Sequence, residues 1–155
     1  MDAIDRNIAI ALQLDGSAGL AELAKVAGLS VSATAERVKR LEERGVIRGW
    51  RADLDPAAVG CPLLVHVLVA VTAGPEDAGF RQAMLRQEAV LECHAVTGRW
   101  TYLLKLRLAD LAALDAFLNT ELRRLPGVQR LETLLAIASV KDTSIVPVAA
   151  TEEEE

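Results

Sequence analysis

The repeat of the apolar residues changes once along this chain, near residue 53, and that change dictates a two-part architecture. Before it, apolar side chains recur with the period of an amphipathic helix. Ile4, Ile8, Ala11 and Leu12 mark a first helix, with Asp2 placed to cap it and Asp15-Gly16 to stop it. Leu20, Leu23 and Ala24 mark a second over residues 20–27, and Gly28 suits the left-handed position after it. Ser30 caps a third over residues 31–44, where Val31, Ala35, Val38 and Leu41 form one stripe and Gly45 closes it. Residues 46–52 read as extended. Past the turn Asp53-Leu54-Asp55-Pro56, strands and helices alternate. Residues 64–72 are apolar on both faces, as in a central strand. Residues 76–87 form a helix with Phe80, Ala83 and Met84 inward, and residues 90–96 a strand with Leu91, Cys93 and Ala95 on one side. In residues 102–108, Tyr102, Leu104, Leu106 and Leu108 oppose Leu103, Lys105 and Arg107. Asp110 caps a helix over 111–125, Pro126-Gly127 ends it, and residues 128–140 form a last strand. The order βαββαβ is the ferredoxin-like arrangement, with helices on one sheet face. The open face predicts a two-fold homodimer.

Composition narrows the class. Hydrophobic residues make up 52% of the 155, enough for a core, and with aromatics at 3% that core is aliphatic. The apolar run 61–71 holds Pro62 and His66 and falls short of the roughly 20 residues of a membrane span. The charged start shows no secretory signal, so a cytoplasmic protein with no membrane partner is expected. Cys61 and Cys93 are far apart, and neither His66 nor His94 has neighbours at metal-ligand spacing, so no metal site or catalytic group is assigned.

The net charge of −5 is unevenly spread. Residues 1–51 carry 8 Lys and Arg against 7 Asp and Glu, whereas the remainder carries 9 against 15, including Glu152, Glu153, Glu154 and Glu155. The basic excess lies on and after the third helix, and this local field, not the total, governs attraction to polyanions. A short Gly28-Leu29-Ser30 turn before a basic helix, followed by an extended stretch, describes a winged helix-turn-helix whose third helix enters the DNA major groove. The candidate DNA-binding residues are Ser30, Ser32, Ala33 and Thr34 at its N-terminus, Glu36, Arg37, Lys39, Arg40 and Arg44 along it, and Arg48 beyond it. Glu36 either accepts from a base amine or pairs with Arg40. Lys39 and Arg44 either contact DNA or face solvent.

The runs from Leu23 through Ser32 and from Arg37 through Ile47 resemble the Lrp/AsnC, or feast/famine, transcription regulators. So do Asp2-x-x-Asp5-Arg6-x-Ile8, Leu54-Asp55-Pro56, Val96-Thr97-Gly98 with Tyr102, and Leu125-Pro126-Gly127-Val128. The resemblance implies an α+β chain with a winged helix-turn-helix over 1–52, a linker over 53–61, a ferredoxin-like effector-binding and oligomerisation domain over 62–148 and an acidic tail over 149–155. It implies a non-enzymatic regulator of double-stranded DNA, a homodimer or homo-octamer, without a cofactor but with an amino-acid-like effector bound between dimers. Carried onto this chain, the effector loop is Thr97, Gly98, Arg99, Trp100 and Thr101. The family usually has Asp where Thr101 stands, and often Ser where Ala35 stands. Gly98 also suits a simple turn, and Trp100 also suits packing. Two other readings share the architecture. One is an enzyme acting on a tetrapyrrole, against which the basic third helix argues. The other is a protein-interaction module.

Overall fold

The computed structural model describes residues 1–149. The acidic tail lies, from residue 150, outside the described residues. The chain divides into two compact units: Met1–Asp53 together with the segment that begins at Lys141, and Leu54–Val140.

The first unit contains α1 (Ala3–Leu14), α2 (Leu20–Ala27) and α3 (Val31–Glu43). Each start has a physical cause. The Asp2 side chain accepts from the Asp5 N–H at 2.8 Å, and Ser30 Oγ accepts from the Ala33 N–H at 3.2 Å, so both caps satisfy otherwise orphaned donors. Gly28, at φ +66°, ends α2 and turns the chain into α3. Ile8, Leu12, Leu23, Ala27 and Leu41 meet in one small core. Residues 46–52, expected to be an extended wing, are assigned to no strand. They fold back on α3 instead. The Val46 and Ile47 N–H groups both bond the Leu41 carbonyl (2.9 and 3.1 Å), and the Trp50 indole donates to Glu42 at 3.0 Å. Residues 141–148, which the sequence boundaries put with the sheet, pack in this unit. The Gln13 amide accepts from the Val146 N–H at 2.8 Å and donates to the Val146 carbonyl at 3.1 Å.

The second unit is an α+β domain. Its elements are β1 (Leu63–Val71), α4 (Pro75–Met84), β2 (Val90–Ala95), β3 (Tyr102–Leu108), α5 (Leu111–Phe117) and β4 (Val128–Leu135). All pairings are antiparallel, in the order β2-β3-β1-β4. Val65, Val67, Val69, Leu104 and Leu106 are fully buried beneath Phe80, Met84, Leu114, Phe117 and Leu122. Fully burying each such side chain contributes about 1.5–3 kcal/mol. Three elements are shorter than expected, and α4, expected over 76–87, already ends at Met84. The helix expected over 111–125 is regular to Phe117 and then widens over Leu118–Leu122, where Arg123 N–H reaches the Leu118 carbonyl at 3.0 Å. Thr120 sits in this stretch with its hydroxyl bonded to the Ala116 carbonyl, a contact that bends helices. β4 stops at Leu135 because β1 begins at Leu63; Ala136 N–H to Leu64 O is the last rung. The opposite sheet face carries Leu64, His66 and Leu68 of β1 beside Leu103, Lys105 and Arg107 of β3 and Arg130, Glu132 and Leu134 of β4.

Gly127 offers a test of this packing. Its φ is +82°, and a Cβ there would stand 2.5 Å from Glu76 Cβ. Gly45, at φ +70°, has open space around it. Gly127→Ala is expected to lower unfolding stability by about 2–4 kcal/mol, and Gly45→Ala by about 1 kcal/mol. Urea unfolding of the two variants checks this, and equal losses would contradict it.

Candidate nucleic-acid interface and ligand loop

On α3, burial separates the polar residues into two faces. Ser32, Glu36, Lys39 and Arg40 point outward on one stripe, while Thr34, Val38 and Leu41 lie on the opposite side. Thr34 is completely buried, and its hydroxyl donates to the Ser30 carbonyl at 2.9 Å. This corrects the expectation that Thr34 meets DNA: four residues after the cap, it shares the inward row with Val38. Ala33 is half-buried, and Ser30 and Ser32 are exposed with their hydroxyls 3.2 Å apart.

Arg37 is not free. Its Nη1 lies 2.6 Å from Asp2 and 2.8 Å from Asp5, and its side chain is 26% exposed. Two carboxylates from α1 and its cap therefore hold the middle of α3. The Asp5 backbone N–H, and then the Arg37 guanidinium, keep the Asp2 carboxyl below the usual carboxylate range. Asp2 and Asp5 in turn hold Arg37 firmly protonated. Nη1 alone makes both contacts, so turning the whole guanidinium onto a base would break them. The other cations are less engaged. Arg40 pairs with Glu36 at 3.3 Å and Lys39 with Glu43 at 3.7 Å, each across one exposed helical turn. Such surface pairs are worth about 0.3–0.5 kcal/mol and yield readily to a phosphate. Arg44 and Arg48 are exposed and form no ion pair with a described residue.

The β2–β3 connection brings the expected loop residues to one end of the sheet. Gly98 takes φ +101°, and Val96 N–H bonds the Thr101 carbonyl at 3.0 Å, closing a tight turn. Thr101 is occupied with structure. Its N–H bonds Val69 O at 2.8 Å, and its hydroxyl accepts from the Val71 N–H at 3.0 Å and donates to Val71 O at 3.3 Å. Thr97 is exposed. Trp100 lies under two guanidinium groups, Arg130 at 4.5 Å and Arg99 at 5.5 Å from the ring centre. Arg99 also reaches Glu132 at 3.5 Å. Arg130 and Glu132 were missed in the sequence. Only the β1–β4 register, which sets Arg130 opposite Ala70, brings them to the loop. Two Arg side chains around one indole form a site suited to a carboxylate. His66 is half-buried on β1, and His94 is exposed and bonded to Glu92 at 3.1 Å.

Residues 1–42 match the AsnC-type helix-turn-helix domain, and residues 64–146 match the Lrp/AsnC ligand binding domain. The leucine-responsive regulatory protein of Haemophilus influenzae is 43% identical over 148 residues, covering 94% of this chain and 89% of that one. Its namesake in Escherichia coli K12 is 40% identical over 146 residues, covering 93% and 89%. Among solved structures, a Neisseria meningitidis transcriptional regulator in complex with L-Met superposes with a TM-score of 0.91 at 30% identity, over 95% of this chain and 96% of that one. An AsnC family regulator from Agrobacterium tumefaciens gives 0.89 at 31% identity, over 95% and 97%.

The charge on Asp2, which serves its helix cap first and the Arg37 pair second, has a pH signature. Because the Asp2 carboxyl is lowered in the folded chain, its contribution is present above the unfolded value of about 3.9 and disappears as pH falls through the folded one. Asp2→Asn keeps a capping oxygen but removes the charge. It is expected to lower the melting temperature at pH 7 and to leave it unchanged near pH 2, followed by helical circular dichroism. An equal loss at both pH values would show that the charge on Asp2 contributes nothing to stability.

Proposed function

We infer the function of this chain from its family: it belongs to the Lrp/AsnC transcription regulators, with an AsnC-type helix-turn-helix and an Lrp/AsnC ligand-binding domain. It is a DNA-binding transcriptional regulator. We propose that Ser30, Ser32, Glu36, Lys39, Arg40, Arg44 and Arg48 form its DNA face, the small hydroxyls and free N–H groups at the start of α3 taking phosphate and base edges. Arg37 positions that face by holding α3 to α1. The observation that carries this reading is the outward stripe of α3, whose cations are bound only by exposed one-turn pairs.

The ligand is an amino acid or a related carboxylate, held at the loop of Thr97, Gly98, Arg99, Trp100 and Thr101 with Arg130 beside it. Support comes from the L-Met complex of the Neisseria relative and from the two guanidinium groups on Trp100. Thr101 contributes by fastening the loop to β1. The chain works in the cytoplasm as a homodimer or homo-octamer. Two copies close over the open sheet face, where Leu134 is 47% exposed. The helical unit of Met1–Asp53 reads DNA, and the sheet unit of Leu54–Val140 binds effector and assembles.

Fluorescence anisotropy tests the DNA face, with DNA from just upstream of the chain's own gene as probe and unrelated DNA as competitor. Binding should survive competitor and fall steeply with salt. Arg40→Ala and Arg44→Ala should each weaken it and reduce the salt slope by about 1, the loss of one phosphate contact. L-Met and L-Leu are then titrated into the same complex, and Trp100→Ala should blunt any response. An unchanged slope in both Arg variants would overturn the assigned face.

A further inference from the structure

The helix-covered side of the sheet has one corner that the helices leave open. β2 is the edge strand, and beside it, under the end of α4, lies a cavity of about 470 Å3. That size falls within the range of small-molecule sites. Met84, Leu85, Val90, Leu91 and Cys93 supply an apolar wall. Leu85 is 79% exposed and Leu91 54%, so the mouth presents apolar surface to water.

The polar rim of the cavity is one cation, Arg81, whose side chain is 59% exposed. The Tyr102 hydroxyl donates to Asp77 and accepts from Arg81 Nε at 2.6 Å, and the same Nε lies 3.0 Å from Asp77 Oδ2. These bonds fix the guanidinium but use only Nε. The two terminal amino groups of Arg81 make no bond to a described residue. They leave the paired donors that suit a carboxylate. Glu92, the acidic residue on the wall, is turned away: its carboxylate pairs with Lys105 at 3.4 Å and His94 at 3.1 Å. Lys105 stands opposite His66, on the other face of the sheet. The cavity therefore offers an apolar body and a carboxylate grip, but no free acid for an ammonium group.

We propose that this cavity is a second ligand site, which takes a small apolar monocarboxylate with Arg81 on the carboxylate and Met84, Leu85, Leu91 and Cys93 around the carbon chain. It adjoins the Trp100 loop through Ala95 and Tyr102 but lies on the helix-covered face, whereas Arg130 and Glu132 lie on the opposite one. Its occupant is an organic acid without an amine, which distinguishes it from an amino-acid effector.

Cys93 makes the site measurable. The thiol sits half-buried in the wall, and burial pushes it up, which slows its attack on a disulfide reagent. In a full-length Cys61→Ala background, Cys93 is the remaining thiol. Its modification rate is measured with 4-methylpentanoate and with L-leucine, which has the same carbon skeleton plus an ammonium. Millimolar 4-methylpentanoate is expected to slow the reaction at least five-fold, and L-leucine at the same concentration less than two-fold. Arg81→Gln should abolish the protection. So should Leu91→Glu, which sets a carboxylate at the exposed mouth. Absence of protection, or equal protection by L-leucine, overturns the proposal. So does protection that survives both variants, or that follows protein concentration without ligand, since a second copy then fills the cavity.

Discussion

Strand β1 is the constraint on which the sheet domain depends. It is paired on both edges, with β3 from Leu63 to Val69 and with β4 from Val65 to Val71. Its inward residues Val65, Val67 and Val69 are completely buried under the helices. A strand with both edges and one face occupied has no freedom to slip, since a shift of one residue would turn every buried valine to the other face. Its ends then place the functional parts. Thr101 is fastened to Val69 and Val71 at one end, which fixes the loop carrying Trp100. Gly127 bonds Thr72 just beyond and sets the start of β4, and so the position of Arg130.

The helical unit solves a different problem. Its apolar core is small, and ion pairs supplement it. Arg37 is the residue with the strongest claim on DNA in a sequence, being basic and central on the recognition helix. Here the same charge is drawn inward by Asp2 and Asp5 at 2.6 and 2.8 Å. A side chain that orders α3 against α1 sets the pitch at which its neighbours meet a groove. Arg40, Arg44 and Arg48 are the proposed contacts, with much less to give up. The C-terminal segment adds a second tie, because the Gln13 amide grips the backbone of Val146 from 133 residues away.

Most of the fold was legible because it follows from local rules. Gly28 and Ser30 gave α2 and α3 their limits, and the alternation of Tyr102, Leu104, Leu106 and Leu108 gave β3 its span and inner face. What escaped was set by distant partners. Residues 46–52 form no strand among the described residues, and Val46, Ile47 and Trp50 bond to α3 instead. β4 ended early because its neighbour did. In the candidate sites, composition picked out the basic helix, and the family resemblance pointed to the Gly98 loop. Neither revealed that Thr34 is inside, that Thr101 is a fastener, or that Arg130 and Glu132 join the loop. Those facts depend on helical phase and strand register, which residue type alone does not carry.

We propose a division of labour on α3, with Arg37 ordering the helix and its outward neighbours meeting DNA. A crystal structure of the full chain on its own upstream DNA tests it most directly. The account predicts Arg37 still on Asp2 and Asp5, with Arg40, Arg44 and Arg48 within hydrogen-bond reach of phosphate or base atoms. Arg37 turned onto a base, with Asp2 and Asp5 left unpaired, would contradict it.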